Sequence, residues 1–213
     1  MTTGATGGAR NPIGTFSESV TLNDGTSVLE FARKILLQKA IERGIATTES
    51  ELVVRSLLYM EDLGYTIEAP GVTLATATAY NTVVSKTNPN NKIISFVGAT
   101  YLGATPKTDP TTLIGFIRGS GGYIDIWNTS YISGLQNPIG YTLSPIFMLN
   151  NDTFKVNYYN SGAASAASSI ALIGLVVEPI KNREMVTMAV QPMPANRPQT
   201  PVCYSRHMSE PTP

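Results

Sequence analysis

Beyond Tyr65 the chain becomes a succession of short β-branched and aromatic runs, each closed by a turn signal, with no helical pattern between them. The runs cover 72–84, 93–102, 113–117, 123–127, 141–149, 153–159 and 170–178. The punctuation is Asn88-Pro89-Asn90-Asn91, Thr105-Pro106, Asp109-Pro110, Gly119-Ser120-Gly121-Gly122, Asn137-Pro138 and Asn150-Asn151-Asp152. Strands in such close succession, with no intervening helices, argue for an antiparallel sandwich or barrel, and the reading adopted is an antiparallel β-sandwich. Phe154, Val156 and Tyr158 alternate with Thr153, Lys155 and Asn157, the pattern of a half-buried strand. The run 170–177 is apolar on both faces and is expected centrally or beneath helices. Ser161 to Ser169 (SGAASAASS) reads as a flexible loop.

Ahead of the strands, residues 27–64 carry two helix signatures. Ser27 with Glu30 has capping-box spacing, and Leu29, Ala32, Leu36 and Ala40 follow at helical intervals up to Gly44. Thr48 with Glu51 repeats the box, leading into Leu52, Val53, Leu57, Leu58 and Met60 before Gly64. The spacing predicts a two-helix hairpin packed on the sandwich, which occupies 65–180.

Both ends read as extended arms. Residues 1–26 are Gly/Thr-rich and aperiodic, with Phe16, Val20 and Leu22 placed to dock on an apolar surface. Residues 181–213 are rich in proline, with Met185, Val186, Met188, Val190 and Met193 as apolar anchors. No core can form there, so the segment is either disordered or laid against a partner. These eight residues are the candidate interface.

Charge narrows the function. Lys+Arg and Asp+Glu are 15 each and charged residues are 14% of the chain, so the surface is wetted mainly by Ser, Thr and Asn. A neutral chain lacks the clustered cations that nucleic acid requires. The second helix offers Arg55 against Glu49, Glu51, Glu61 and Asp62, which argues against a DNA-reading helix-turn-helix. The lone Cys203 excludes an internal disulfide. No secretory h-region opens the chain, and the longest apolar run is far shorter than a membrane helix, so a soluble protein made in a cytosol is expected.

No catalytic constellation emerges. His207 and Cys203 lie in the tail, where nothing fixes geometry, and no metal-ligand spacing surrounds them. Gly119 to Gly122 precede a strand rather than a helix, so they read as a hairpin turn and not a phosphate cradle. Glu49/Glu51 and Glu61/Asp62 are placed at helix ends as solvated charges. Asn128-Thr129-Ser130 and Asn151-Asp152-Thr153 match glycosylation sequons, read as chance without secretion. Tyr123, Trp127, Tyr131 and Tyr141 form either an aromatic platform for sugar or ordinary core and interface packing. The expectation is a non-enzyme with no cofactor and no metal.

The stretch Tyr141-Thr-Leu-Ser-Pro-Ile-Phe-Met-Leu-Asn-Asn-Asp-Thr-Phe-Lys-Val-Asn-Tyr-Tyr, followed by Ser168-Ser-Ile-Ala-Leu-Ile-Gly-Leu-Val-Val-Glu, resembles the closing strands of jelly-roll virion proteins, particularly those of bacteriophages. The resemblance implies a jelly-roll-like, homo-oligomeric capsid, cement/vertex or tail component, located in the virion and partnered by itself and other virion proteins. Many such proteins bind genome through a basic arm, whereas the arm here holds only Arg10. A cement, vertex or tail role, or a shell filled by a packaging motor, follows. The alternative is a carbohydrate- or receptor-binding β-sandwich module of a cell-surface or tail-adhesion protein.

Overall fold

The computed structural model describes residues 28–66, 71–102, 108–133 and 139–183. The arm expected over 1–26 lies outside the described residues, as does the tail from 184 onward.

The protein is mainly β, and every ladder among the described residues is antiparallel. In chain order the elements are α1 (Val28–Glu42), β1 (Leu52–Ser56), β2 (Val72–Leu74), β3 (Ala79–Thr87), β4 (Ile93–Tyr101) and β5 (Thr111–Arg118). There follow β6 (Tyr123–Asn128), the single turn α2 (Ser130–Ser133), β7 (Ile139–Met148), β8 (Thr153–Asn160), β9 (Ala166–Ser168) and β10 (Ile170–Pro179). Two four-stranded sheets, ordered β1-β10-β4-β7 and β3-β8-β5-β6, are accompanied by the short β2-β9 pair.

The pairing has a simple origin. Leu113 pairs with Asn128, Ile94 with Met148, Val84 with Val156 and Val72 with Ser168. Each pair straddles Ser120 almost symmetrically, so these ladders nest as one long hairpin with its tip at Gly119–Gly122. The tip is a tight turn in which Gly119 takes a φ of 65°. Two further ladders, β10–β4 and β5–β8, roll the hairpin into two sheets. Except at the tip, successive strands of the large sheets therefore fall in opposite sheets.

The sheets stack through aromatic side chains, an arrangement consistent with a β-sandwich. Phe96 of the first sheet lies 5.3 Å from Phe116 and 6.1 Å from Phe154 of the second, ring centre to ring centre. Phe154, Val156 and Tyr158 point into this core as their alternation predicts. On the other face of the first sheet, Leu36, Leu37 and Ala40 of α1 pack on Ile93 and Val177, and Val28 and Ala32 pack on Val97. The strand β10 is thus covered on both sides, which explains its unbroken apolar run. At the end of α1, Gly44 adopts a left-handed φ of 69° and the Ile45 amide donates to the Ala40 carbonyl at 2.9 Å, a Schellman closure.

The predicted second helix does not form. The Thr48/Glu51 signature is present locally: Glu51 Oε2 accepts from the Thr47 amide at 2.7 Å and the Thr48 amide at 3.3 Å. It caps only a 3-10 turn, Glu49–Glu51, after which the chain extends into β1 and pairs with β10. Val53 and Val54 are β-branched and suit the strand, and the open edge of β10 outweighs the local helix signal. A π-helical turn, Tyr59–Leu63, follows and ends at Gly64 with φ 79°. The β unit accordingly begins at Leu52 rather than at 65, and the hairpin of helices reduces to α1.

Two smaller expectations also change. The run 72–80 is broken by a turn with Thr78 at φ 51°, held by Asn81, whose side chain bonds both the amide and the carbonyl of Thr76 at 3.0 Å. The SGAASAASS stretch is not all loop: its last residues form β9 on β2. Ser168 there is buried, with its hydroxyl 2.8 Å from the Thr111 hydroxyl and 3.1 Å from Asp109.

Candidate functional site

The eight candidate interface residues, Phe16, Val20, Leu22, Met185, Val186, Met188, Val190 and Met193, lie outside the described residues, as do Cys203 and His207. What the described residues offer is the outer face of the second sheet and a charged cluster that includes Arg183.

The predicted aromatic platform does not assemble. Trp127 is fully buried between the sheets, 4.5 Å from the Phe116 ring, with its indole N–H donating to Asp125 at 3.3 Å. Tyr141 is half-buried against α1 on the opposite side of the molecule. Tyr131 lies on α2, and its side chain is outside the described residues. Tyr123 and Trp127, four apart on one strand, should share a face. A bulge breaks that rule: Phe116 faces Asp125 but Ile117 faces Tyr123, leaving Ile124 unpaired and sending Tyr123 outward.

On the outer face of β3-β8-β5-β6, Tyr123 meets different partners. Its ring crosses Gly115 so closely that a Cβ there would stand 2.3 Å from it, so glycine is what allows the ring to lie on the sheet. Its hydroxyl accepts from Asn157 Nδ2 at 2.9 Å, and Tyr80 lies 5.0 Å away, itself 5.2 Å from Tyr159. Asn157, expected in solvent, is only 7% exposed because of this cover. Burial pushes the Tyr80 phenol above its ordinary value, with neighbouring Tyr123 and Tyr159 adding to it. Pairing in register places Leu113, Ile117 and Ile126 on the same face, all half-buried. The outer face of the first sheet is covered by α1; this one carries an aromatic and aliphatic surface with Tyr123 38% exposed. Sequence reading gave Tyr80 and Tyr159 no part in a site, because only cross-strand register brings them to Tyr123.

The second feature is a cluster of three acids and three bases. Arg55 on β1 forks onto Asp62 at 2.6 and 2.8 Å, and also reaches Glu178 at 2.7 Å and Glu61 at 2.9 Å. Lys92 bonds Glu61 and reaches Glu178 at 3.2 Å and Asp62 at 3.3 Å. Arg183, the last described residue, bonds Glu178 at 2.7 Å and Glu61 at 3.0 Å. The side chains of Asp62 and Glu178 are 0% and 2% exposed, so the reading of Glu61/Asp62 as solvated charges fails for Asp62. Burial resists ionisation of Asp62 and Glu178, but hydrogen bonds and charge from Arg55 outweigh it and hold both carboxyls below their ordinary values. Every charge has an opposite partner, and the cluster ties β1, the π turn, the β3–β4 turn, β10 and the chain exit together. Such an arrangement fixes geometry rather than performing proton transfer.

Among the described residues no group of three His, Cys, Asp or Glu side chains could hold a metal ion, and no helix is long and apolar enough to cross a membrane. The chain matches no protein-family model and no curated protein.

Proposed function

We propose that this chain is a jelly-roll structural subunit of a virion, assembling with itself through its β-sandwich and terminal arms into a shell, cement, vertex or tail component. The observation that carries the reading is the strand order. A long nested hairpin rolled into sheets β1-β10-β4-β7 and β3-β8-β5-β6 supports a reading as the double-sheet, two-Greek-key plan of jelly rolls, which recurs in viral capsid domains. The plan also serves lectins and cupins, so topology alone does not select a function. The neutral, Ser/Thr/Asn-wetted surface and the apolar anchors at both chain ends favour association over catalysis. The carbohydrate alternative loses its tryptophan, because Trp127 belongs to the core.

The test is solution mass by light scattering over a concentration series, with electron microscopy of the product, for the full chain beside residues 28–183. A defined oligomer or closed particle from the full chain, and a monomer from the trimmed one, is the expected result. A full chain that stays monomeric at every concentration overturns the proposal, and glycan binding by that monomer would favour the alternative.

A further inference from the structure

The tyrosine face has chemistry that matches one segment of this same chain. Tyr80, Tyr123 and Tyr159 present ring faces and edges on the outside of the second sheet, and the outer two rings are no more than about 10 Å apart. Tyr123 accepts from Asn157 at its hydroxyl, so the hydroxyl hydrogen remains available to donate outward. The face is therefore an aromatic surface with an anchored hydroxyl donor, and Lys155 is the charged residue that register places beside it.

Clustered tyrosine rings with an outward hydroxyl suit polyproline II chains, which are extended before binding, lose little entropy, and display carbonyls with no internal partner. The tail supplies such a sequence: Gln191-Pro192-Met193-Pro194-Ala195-Asn196-Arg197-Pro198-Gln199-Thr200-Pro201. With three residues per turn, Pro192, Ala195, Pro198 and Pro201 fall on one face of a polyproline II helix, spaced about 9 Å. That spacing lies within the bound set by the two ring separations, so prolines three residues apart are able to meet two different rings of the face. Pro192 lies nine residues beyond Arg183, which the ion cluster pins at the rim of the sandwich. Extended, those residues span up to about 30 Å, enough to leave one subunit and meet another.

We infer that the Tyr80–Tyr123–Tyr159 face is the docking site for the 192–201 segment from a neighbouring copy of this chain. The inference rests on the assembly reading above and names the surface on which an exchanged arm is seated.

The test uses the full chain with the photo-crosslinker p-benzoylphenylalanine placed at Lys155, an exposed position on β8 beside the tyrosines. Isotopically light and heavy chains are mixed, assembled, irradiated and digested. Adducts to residues 192–201 that join a light to a heavy chain are expected. In the same protein, Pro198→Gly with Pro201→Gly should lower adduct yield roughly tenfold, the loss of two ring stacks and of the pre-set backbone. Adducts only within one chain, adducts that avoid 192–201, or a yield unchanged by the glycines each overturn the docking. If the chain assembles in those cases, the assembly reading survives. A chain that remains monomeric overturns both.

Discussion

Replacing Arg55 with methionine removes the centre of the ion cluster while keeping an unbranched apolar stem in place of the arginine's methylenes. Asp62 loses a bidentate fork at 2.6 and 2.8 Å, Glu178 loses a bond at 2.7 Å, and the six-charge balance becomes two bases against three acids. Both carboxylates are almost wholly inaccessible to water, so breaking the pair falls in the range measured for buried ion pairs, about 3–5 kcal/mol. With total stability of roughly 5–15 kcal/mol for a domain, that is a large fraction. At a urea dependence of about 2 kcal/mol per molar, the unfolding midpoint drops by about 2 M. The single Trp127, buried in the core, gives the fluorescence signal, read at one protein concentration at pH 7, 5.5 and 4. The pH series carries the sign. In the native protein the lowered carboxyl pKa values contribute stability present above about pH 4 and lost as pH falls through the folded values. Without Arg55 those values rise relative to the native protein, because its hydrogen bonds and charge no longer oppose burial while Lys92, Arg183 and the Leu58 amide remain. The variant thus loses less than the native protein on acidification. The gap between native protein and Arg55→Met therefore narrows from pH 7 to pH 4. A loss under about 1 kcal/mol at neutral pH, or a gap that widens in acid, refutes the reasoning, because it would place the cluster in the class of weak surface pairs.

Trp127→Ala should cost about 3–5 kcal/mol in urea or thermal unfolding, followed by circular dichroism, since it empties the space against Phe116 between the sheets. Gly98→Ala brings a Cβ to 2.2 Å from the Gly140 carbonyl oxygen, a backbone atom that cannot swing aside, and should cost about 1–3 kcal/mol by the same measurement. Asp109→Ala withdraws the acceptor for the Ser169 amide at 2.6 Å and the Thr111 amide at 2.8 Å, and should cost about 1–3 kcal/mol. Hydrogen exchange of those two amides should speed up more than that of the β5–β6 ladder.

The strands of this protein are legible because each carries its own boundary: Asn88 to Asn91 ends β3, the Gly119 to Gly122 turn separates β5 from β6, and Asn150 to Asp152 precedes β8. β1 is not, because its residues fit a helical pattern and only the open edge of β10, more than a hundred positions later, makes them a strand. The ion cluster has the same character. Arg55 and Glu178 meet across 123 positions, and nothing near either residue signals the other. The platform fails for a local reason, the bulge at Ile124, which no propensity records. Its replacement by Tyr80, Tyr123 and Tyr159 depends on the glycine at 115, a residue that read as an ordinary strand position.

The nesting of β2–β9, β3–β8, β4–β7 and β5–β6 around Ser120 also dictates timing on the ribosome. Only the β5–β6 pair closes a short loop; every outer pair closes a longer one and gains from the pair inside it, so the ladder grows from the tip outward. Half the chain must wait for its mirror image to be translated. At roughly 5–20 residues per second, β4 and β3 stand unpaired for several seconds before β7 and β8 emerge. β1 waits longest, since its partner β10 ends at Pro179. An unpaired first half is a set of open strand edges, which invites pairing with other nascent chains.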